Sequence, residues 1–213
     1  MPTNLREALV EEIKDIYNAE KQIVKALPKM VKGATSDELR EAFESHLDET
    51  ENQVTRLESV FELLDEKPRG KHCAGMAGIL EEGSETLQED AEDAVMDAMI
   101  IAGAQRVEHY EITAYGTCIA WAEALGLTEV VEVLGESLAE EKAADQTLSA
   151  LAESGINDAA TAGESEDEME DDEDSGSRST VAPEQPGTSR SASGGDRSAN
   201  GSKSPTRQRG GRR

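Results

Sequence analysis

Cysteine is nearly absent from this chain: 213 residues contain only Cys73 and Cys118. Two thiols so far apart fit neither a disulfide framework nor a zinc-ligand pattern. Long apolar runs are missing as well, and nothing approaches the ~20 residues that a membrane span needs. The opening stretch, MPTNLREALVEEIKDIY, has neither the basic start nor the apolar run of a signal peptide. A cytoplasmic protein with no membrane contact is expected. Basic residues are scarce too: residues 1–157 hold 34 acids against 13 Lys and Arg, a net of −21 within a total of −25. Such a surface repels nucleic acid and anionic membranes and attracts cations. It suits a high-salt cytoplasm or an ordinary acidic protein, and both stay open.

Aromatic residues make up 3% of the chain, and all of them precede Asn157. Beyond that point Glu, Asp, Ser, Gly and Arg leave almost nothing to bury. A domain over residues 1–156 and a disordered tail over 157–213 are therefore expected. The tail is acidic over 164–174 and then Ser, Gly and Arg-rich. Its basic end, Lys203–Arg213, follows a segment, residues 158–174, of net charge −10. It carries too few cations to make a nucleic-acid partner the favoured reading.

Four long helical patterns are present within the domain. The first begins at Thr3 or Asn4, either able to cap it, and ends near Lys32 with Pro28 late in it. Its stripe is Leu9, Ile13, Ile16, Glu20, Ile23, Leu27, Met30. The second, about Asp37 to Asp65, has Ser36 as cap and the stripe Leu39, Phe43, His46, Thr50, Gln53, Leu57, Val60, Leu64, with Glu49 one step aside. The third, about Ala94–Leu125, ends at Gly126 and carries Ala98, Ile101, Gln105, Glu108, Ile112, Tyr115, Ile119, Ala122, with Glu111 beside Glu108. The fourth, capped by Thr128 and reaching about Ser154, carries Val131, Leu134, Leu138, Glu141, Asp145, Leu148, Ala152. Residues 66–93 are long enough to cross a bundle and could hold a short helix or two interrupted by Gly83. Cys73, on that connection, could be exposed.

Each stripe is apolar at its ends and polar at mid-length. An antiparallel four-helix bundle would bring Glu20, His46, Glu49, Glu108, Glu111, Glu141 and Asp145 into one layer. Five or six carboxylates that close repel one another, and several must be protonated unless cations neutralise them. Two divalent cations would offset most of that charge. Carboxylates with one imidazole suit iron or manganese better than a soft-metal site, and zinc stays open. The plain alternative is that these acids flank a solvated face. Tyr17, Tyr110 and Tyr115 read as core residues, His109 as superficial, and Glu140 could replace Glu141 if the fourth helix is rotated.

Four segments carry a resemblance: Asp15-Ile16-Tyr17-Asn18-Ala19-Glu20-Lys21-Gln22, His46-Leu47-Asp48-Glu49-Thr50-Glu51-Asn52-Gln53, Gln105-Arg106-Val107-Glu108-His109-Tyr110-Glu111 and Glu140-Glu141-Lys142-Ala143-Ala144-Asp145. Over residues 3–155 the chain resembles the YciE/YciF family of ferritin-like proteins, and Glu108-x-x-Glu111 is similar to the third bundle helix of rubrerythrins. The resemblance implies an all-α, ferritin-like antiparallel bundle with a long crossover between the second and third long helices. It also implies a homodimer, a two-metal centre of iron or manganese, and a role in stress, with oxygen or peroxide as oxidant. The chain departs from the usual di-iron pattern of Glu-x-x-His on two helices. The order His46-x-x-Glu49 is reversed, and the fourth helix has no histidine. Such a centre is harder and more acidic, which leaves rubrerythrin-like peroxide chemistry in doubt and manganese or exchangeable iron as options. The rival functions are a metal-free helical dimer acting through a stress-related partner and, behind it, an iron-storage cage.

Overall fold

The computed structural model describes residues 2–162, which are helical with no strand among them. Of the tail expected over residues 157–213, residues 163–213 lie outside the described residues, and residues 157–162 are helical. Helices α1 (Leu5–Gly33), α2 (Asp37–Leu63), α4 (Asp93–Ala124) and α5 (Thr128–Leu151) form an antiparallel bundle, and α3 (Ala74–Thr86) lies in the crossover. None of them is long and apolar enough to cross a membrane. Helix α1 packs on α2 and α4, and α5 packs on the same two, so α1 faces α5 across the diagonal.

The ends of these helices follow local chemistry. Asn4 caps α1 by accepting the Glu7 N–H at 2.9 Å, and Glu7 returns a bond to the Thr3 N–H at 2.7 Å, so both expected residues take part. Ser36 caps α2 through the Leu39 N–H at 3.2 Å. Gly126, at φ 70°, closes α4, a backbone region where a Cβ would be strained. Leu127, not Thr128, is the cap residue of α5; Thr128 is already helical, and no side chain caps that end. Past Leu151 the helix loosens into a wider turn over Ala152–Ile156, where Gly155 has φ 158°, and helical structure resumes over residues 157–162.

The α1–α2 turn is tied from across the bundle. Asp97 on α4 is buried, and its carboxylate accepts the Thr35 N–H at 2.7 Å, the Thr35 hydroxyl at 2.7 Å and the Ser36 N–H at 2.8 Å. Three bonds offset its desolvation. The crossover is tied to α1 in a similar way. Asn18 accepts the Cys73 N–H at 2.8 Å, and the Gln22 amide donates to the Cys73 carbonyl at 3.2 Å. Cys73 itself is buried, against the expectation of exposure, and its sulfur lies 2.9 Å from the Tyr110 hydroxyl, which donates to Asp15 at 2.9 Å. Gly83 does not interrupt α3, which runs through it. A helix-interior glycine costs only ~1 kcal/mol, and Met76 fully buried in the core anchors the segment.

The core is split in two. One apolar cluster gathers Leu9, Ile13, Ile16, Leu57, Phe61, Tyr115, Cys118 and Leu134. The other gathers Ile23, Leu27, Leu39, Phe43, Met76, Ile100 and Leu148. Polar side chains occupy the level between them. Removing the turn clamp with Asp97→Ala should cost about 2–3 kcal/mol of folding stability. Urea unfolding followed by circular dichroism should show a lower midpoint with an unchanged slope.

Candidate metal centre

Glu20, His46, Thr50, Gln53, Glu108, Glu111, Ser137 and Glu141 are all buried between the two apolar clusters. Four of them converge. His46 of α2, Glu108 and Glu111 of α4, and Glu141 of α5 each offer a ligand atom, all within 4.8 Å of one another. The α4 pair is brought inward by helical spacing, since residues three apart share a face. Glu20 of α1 closes the layer from the fourth side. Its carboxylate accepts the Tyr115 hydroxyl and lies against Glu111.

The remaining two sequence candidates stand apart from this group. Glu49 is 41% exposed, with one oxygen 3.5 Å from His46 Nδ1. It lines a cleft of about 110 Å³ between α2 and α5 that opens onto His46 and Glu108. Asp145 is 23% exposed, accepts the Gln105 amide at 3.1 Å and lies 3.3 Å from His109 Nε2. His109 is superficial, as its angle on α4 predicts.

Burial is the first cause of the electrostatics here. It pushes the Glu20 carboxyl up to about 8, with Glu141 adding to the rise. Glu108 and Glu111 are raised well above the carboxylate range by burial and then by Glu141 and Glu20 respectively. Glu141 is raised by burial and partly held down by His46. The Tyr115 hydroxyl is driven up by burial and the neighbouring Glu20. Four acids with one imidazole thus share a space that disfavours charge.

Hydrogen bonding leaves this space poorly satisfied. Glu20 Oε2, both His46 ring nitrogens, Glu108 Oε2, both Glu111 oxygens and Glu141 Oε2 are buried with no hydrogen-bond partner. His46 Nε2 is 3.4 Å from Glu108, but neither of its nitrogens is aligned as a hydrogen bond. The surroundings are better ordered. The Gln53 amide donates to Glu141 and, at 3.0 Å, to Glu140. Arg56 grips Glu140 with two bonds of 2.6 and 2.7 Å. Glu140 is therefore a surface ion-pair partner, and Glu141 is the inward acid.

Sequence reasoning understated three residues. Tyr115 is a core residue as expected, fully buried, and its hydroxyl also donates to Glu20. Gln53 sits on its stripe seven residues after His46, which was the available signal for its contact with Glu141. Ser137 is buried one turn before Glu141 because the inward face of α5 runs Val130, Leu134, Ser137, Glu141, Leu148. That face is rotated from the one expected through Leu138 and Asp145.

Comparison with known proteins places the chain among relatives. The profile of a domain of unknown function, DUF892, matches residues 4–161. Protein YciF of Escherichia coli K12 is 38% identical over 154 residues, which cover 72% of this chain and 93% of that protein. The crystal structure of the E. coli stress protein YciF superposes with a TM-score of 0.71, covering 73% of this chain and 99% of that one. YcfI of Rhodopseudomonas palustris is 48% identical, with a TM-score of 0.68 over 69% of this chain and 94% of its own. A protein of Xanthomonas campestris pv. campestris, 23% identical, shares the fold at a TM-score of 0.56, covering 76% of this chain and 98% of its own.

A carboxyl raised on folding binds its proton more tightly in the folded chain. Its stabilising contribution is complete below its unfolded value, 4.5 for glutamate, and is lost as pH rises through the folded value. Chelator-treated protein should therefore show a falling thermal midpoint from about pH 5 to about pH 8. Glu111→Gln should flatten that slope and raise the midpoint at the alkaline end by about 3–8 °C, as differential scanning fluorimetry can check.

Proposed function

The chain belongs to the DUF892 family, with YciF among its relatives, and on that premise we propose that it is a ferritin-like stress-response protein holding two divalent cations, iron or manganese, in its buried acidic layer. The observation that carries this reading is the set of unpartnered atoms: seven carboxylate and imidazole atoms of Glu20, His46, Glu108, Glu111 and Glu141 are buried without a hydrogen-bond partner, and ligand atoms of the last four residues lie within 4.8 Å of one another. Leaving each unmade costs roughly 1–3 kcal/mol or more. Groups that do not satisfy one another are the ones a cation would satisfy. The donor set fits: four carboxylates balance the +4 of two divalent ions, and one imidazole among oxygens suits iron or manganese.

In this reading Glu108, Glu111 and Glu141 are shared or terminal oxygen ligands, Glu20 supplies a further oxygen, and His46 is the nitrogen ligand. Tyr115 holds one oxygen of Glu20, and Gln53 orients Glu141 from outside, as partners behind a ligand do. Glu49, partly solvated beside His46, lines the cleft that reaches His46 and Glu108, and Asp145 lies at the outside of the layer. A bound pair would supply Lewis acidity and redox capacity toward oxygen or peroxide. The stress assignment is carried over from the E. coli relative, described as a stress protein. Homodimerisation and a cytoplasmic location belong to the same proposal.

The rival, a metal-free interaction protein, gains support from the raised carboxyl pKa values, because protonated acids would let the layer persist without metal. Metal analysis of untagged protein purified without chelator separates the two. About two iron or manganese ions per chain are expected, lost in Glu20→Ala/Glu108→Ala. Below ~0.2 ion per chain, with no uptake on reconstitution, the metal reading is wrong and the interaction protein stands. A 12- or 24-mer on sizing, on the order of a ferritin cage, would instead point to storage.

A further inference from the structure

A cavity of about 290 Å³ lies between α1, α2, α3 and α4 and reaches the acidic layer from the side opposite α5. Its size falls at the lower edge of the ~300–1,000 Å³ usual for small-molecule sites. Ile23, Leu27, Met30, Phe43, Leu80 and Leu87 give it an apolar wall, and His46 and Glu108 lie at its inner end. Glu108 Oε2 there is buried and unpartnered. At the rim stand Lys25 and Lys29, exposed and one turn apart on α1. Neither makes an ion pair among the described residues, although the domain carries 34 acids. Like charges at this spacing repel, and among the described residues Glu108 is the only acid lining the cavity.

Two glycines keep the space open. Gly83 in α3 and Gly103 in α4 both line the cavity, and a Cβ at either would meet nothing within 4 Å. Helix interiors disfavour glycine, so these positions give up helical stability while preserving room.

We propose that this cavity binds a single-tailed anionic amphiphile, a medium-chain carboxylate, with its headgroup on Lys25 and Lys29 and its tail along the apolar wall toward His46 and Glu108. Its polarity follows from the lining: cations stand at the mouth and hydrocarbon runs along the wall. The tail end is thereby presented to the acidic layer. Its meaning as a substrate rests on the metal-centre reading, but the binding itself does not.

Isothermal titration of the full chain with decanoate, in chelator-treated and metal-reconstituted form, tests the site. One saturable site per chain is expected in both forms. Gly103→Leu should weaken decanoate at least about tenfold with helicity and metal content unchanged. Lys25→Ala/Lys29→Ala should weaken decanoate about tenfold and decanol less than about twofold. Absence of saturable binding in both forms, or binding that either variant leaves intact, overturns the proposal. So does a change of oligomeric state in Gly103→Leu, which would make the cavity an interface between copies. Loss of the metal reading alone would leave decanoate binding to the chelated chain, so the two failures are distinguishable.

Discussion

Four carboxylates and an imidazole are packed between two hydrocarbon cores, and the molecule is arranged around that constraint. A charge with no partner in such a place is costly, so the layer must be neutralised by protons or by cations. Each long helix supplies part of it: Glu20 from α1, His46 from α2, Glu108 and Glu111 from α4, Glu141 from α5. The apolar clusters lie on either side of the layer, and its residues are buried between them. The unpartnered atoms and the raised carboxyls are two expressions of the same crowding.

Around that layer, polar contacts are made where packing alone would leave freedom. Tyr115 fixes one face of Glu20, and the Gln53–Glu140–Arg56 chain fixes the outer side of Glu141. Asp97 binds the first turn to the start of α4, and Asn18 and Gln22 bind the crossover to α1. The crossover does more than connect. By laying α3 against α1 and α4 it walls the apolar cavity, so the same layer meets a small cleft at Glu49 and a larger cavity at Leu80 and Leu87.

Much of this is legible from spacing. The bundle, its antiparallel turns and the mid-length position of Glu20, His46, Glu108 and Glu141 follow from residues recurring at three and four. What spacing resolves poorly is rotation about the helix axis, because adjacent residues differ by about 100° and a face of that width admits two readings. Glu111, placed beside the stripe, is fully buried because the inward face of α4 runs through Ala104, Val107, Glu108, Glu111, Ala114 and Tyr115. Glu49 and Asp145 sit at the margins for the same reason. Asp97 is not legible from spacing, because a satisfied buried acid has no mark in sequence that separates it from a surface acid. Gly83 and Cys73 show tertiary packing overriding local preference.

The split core also sets the alignment of the helices. Apolar contacts alone are permissive, since leucine and isoleucine side chains mesh nearly as well after a slip of one turn, about 5.4 Å. In this bundle such a slip of α1 would push Glu20 into hydrocarbon and bring Ile16 or Ile23 to the acids. The acidic layer therefore works as a key that admits one vertical register, as a single polar residue does in a coiled coil. Whatever ligand or proton it holds, the site specifies the alignment of the scaffold that builds it.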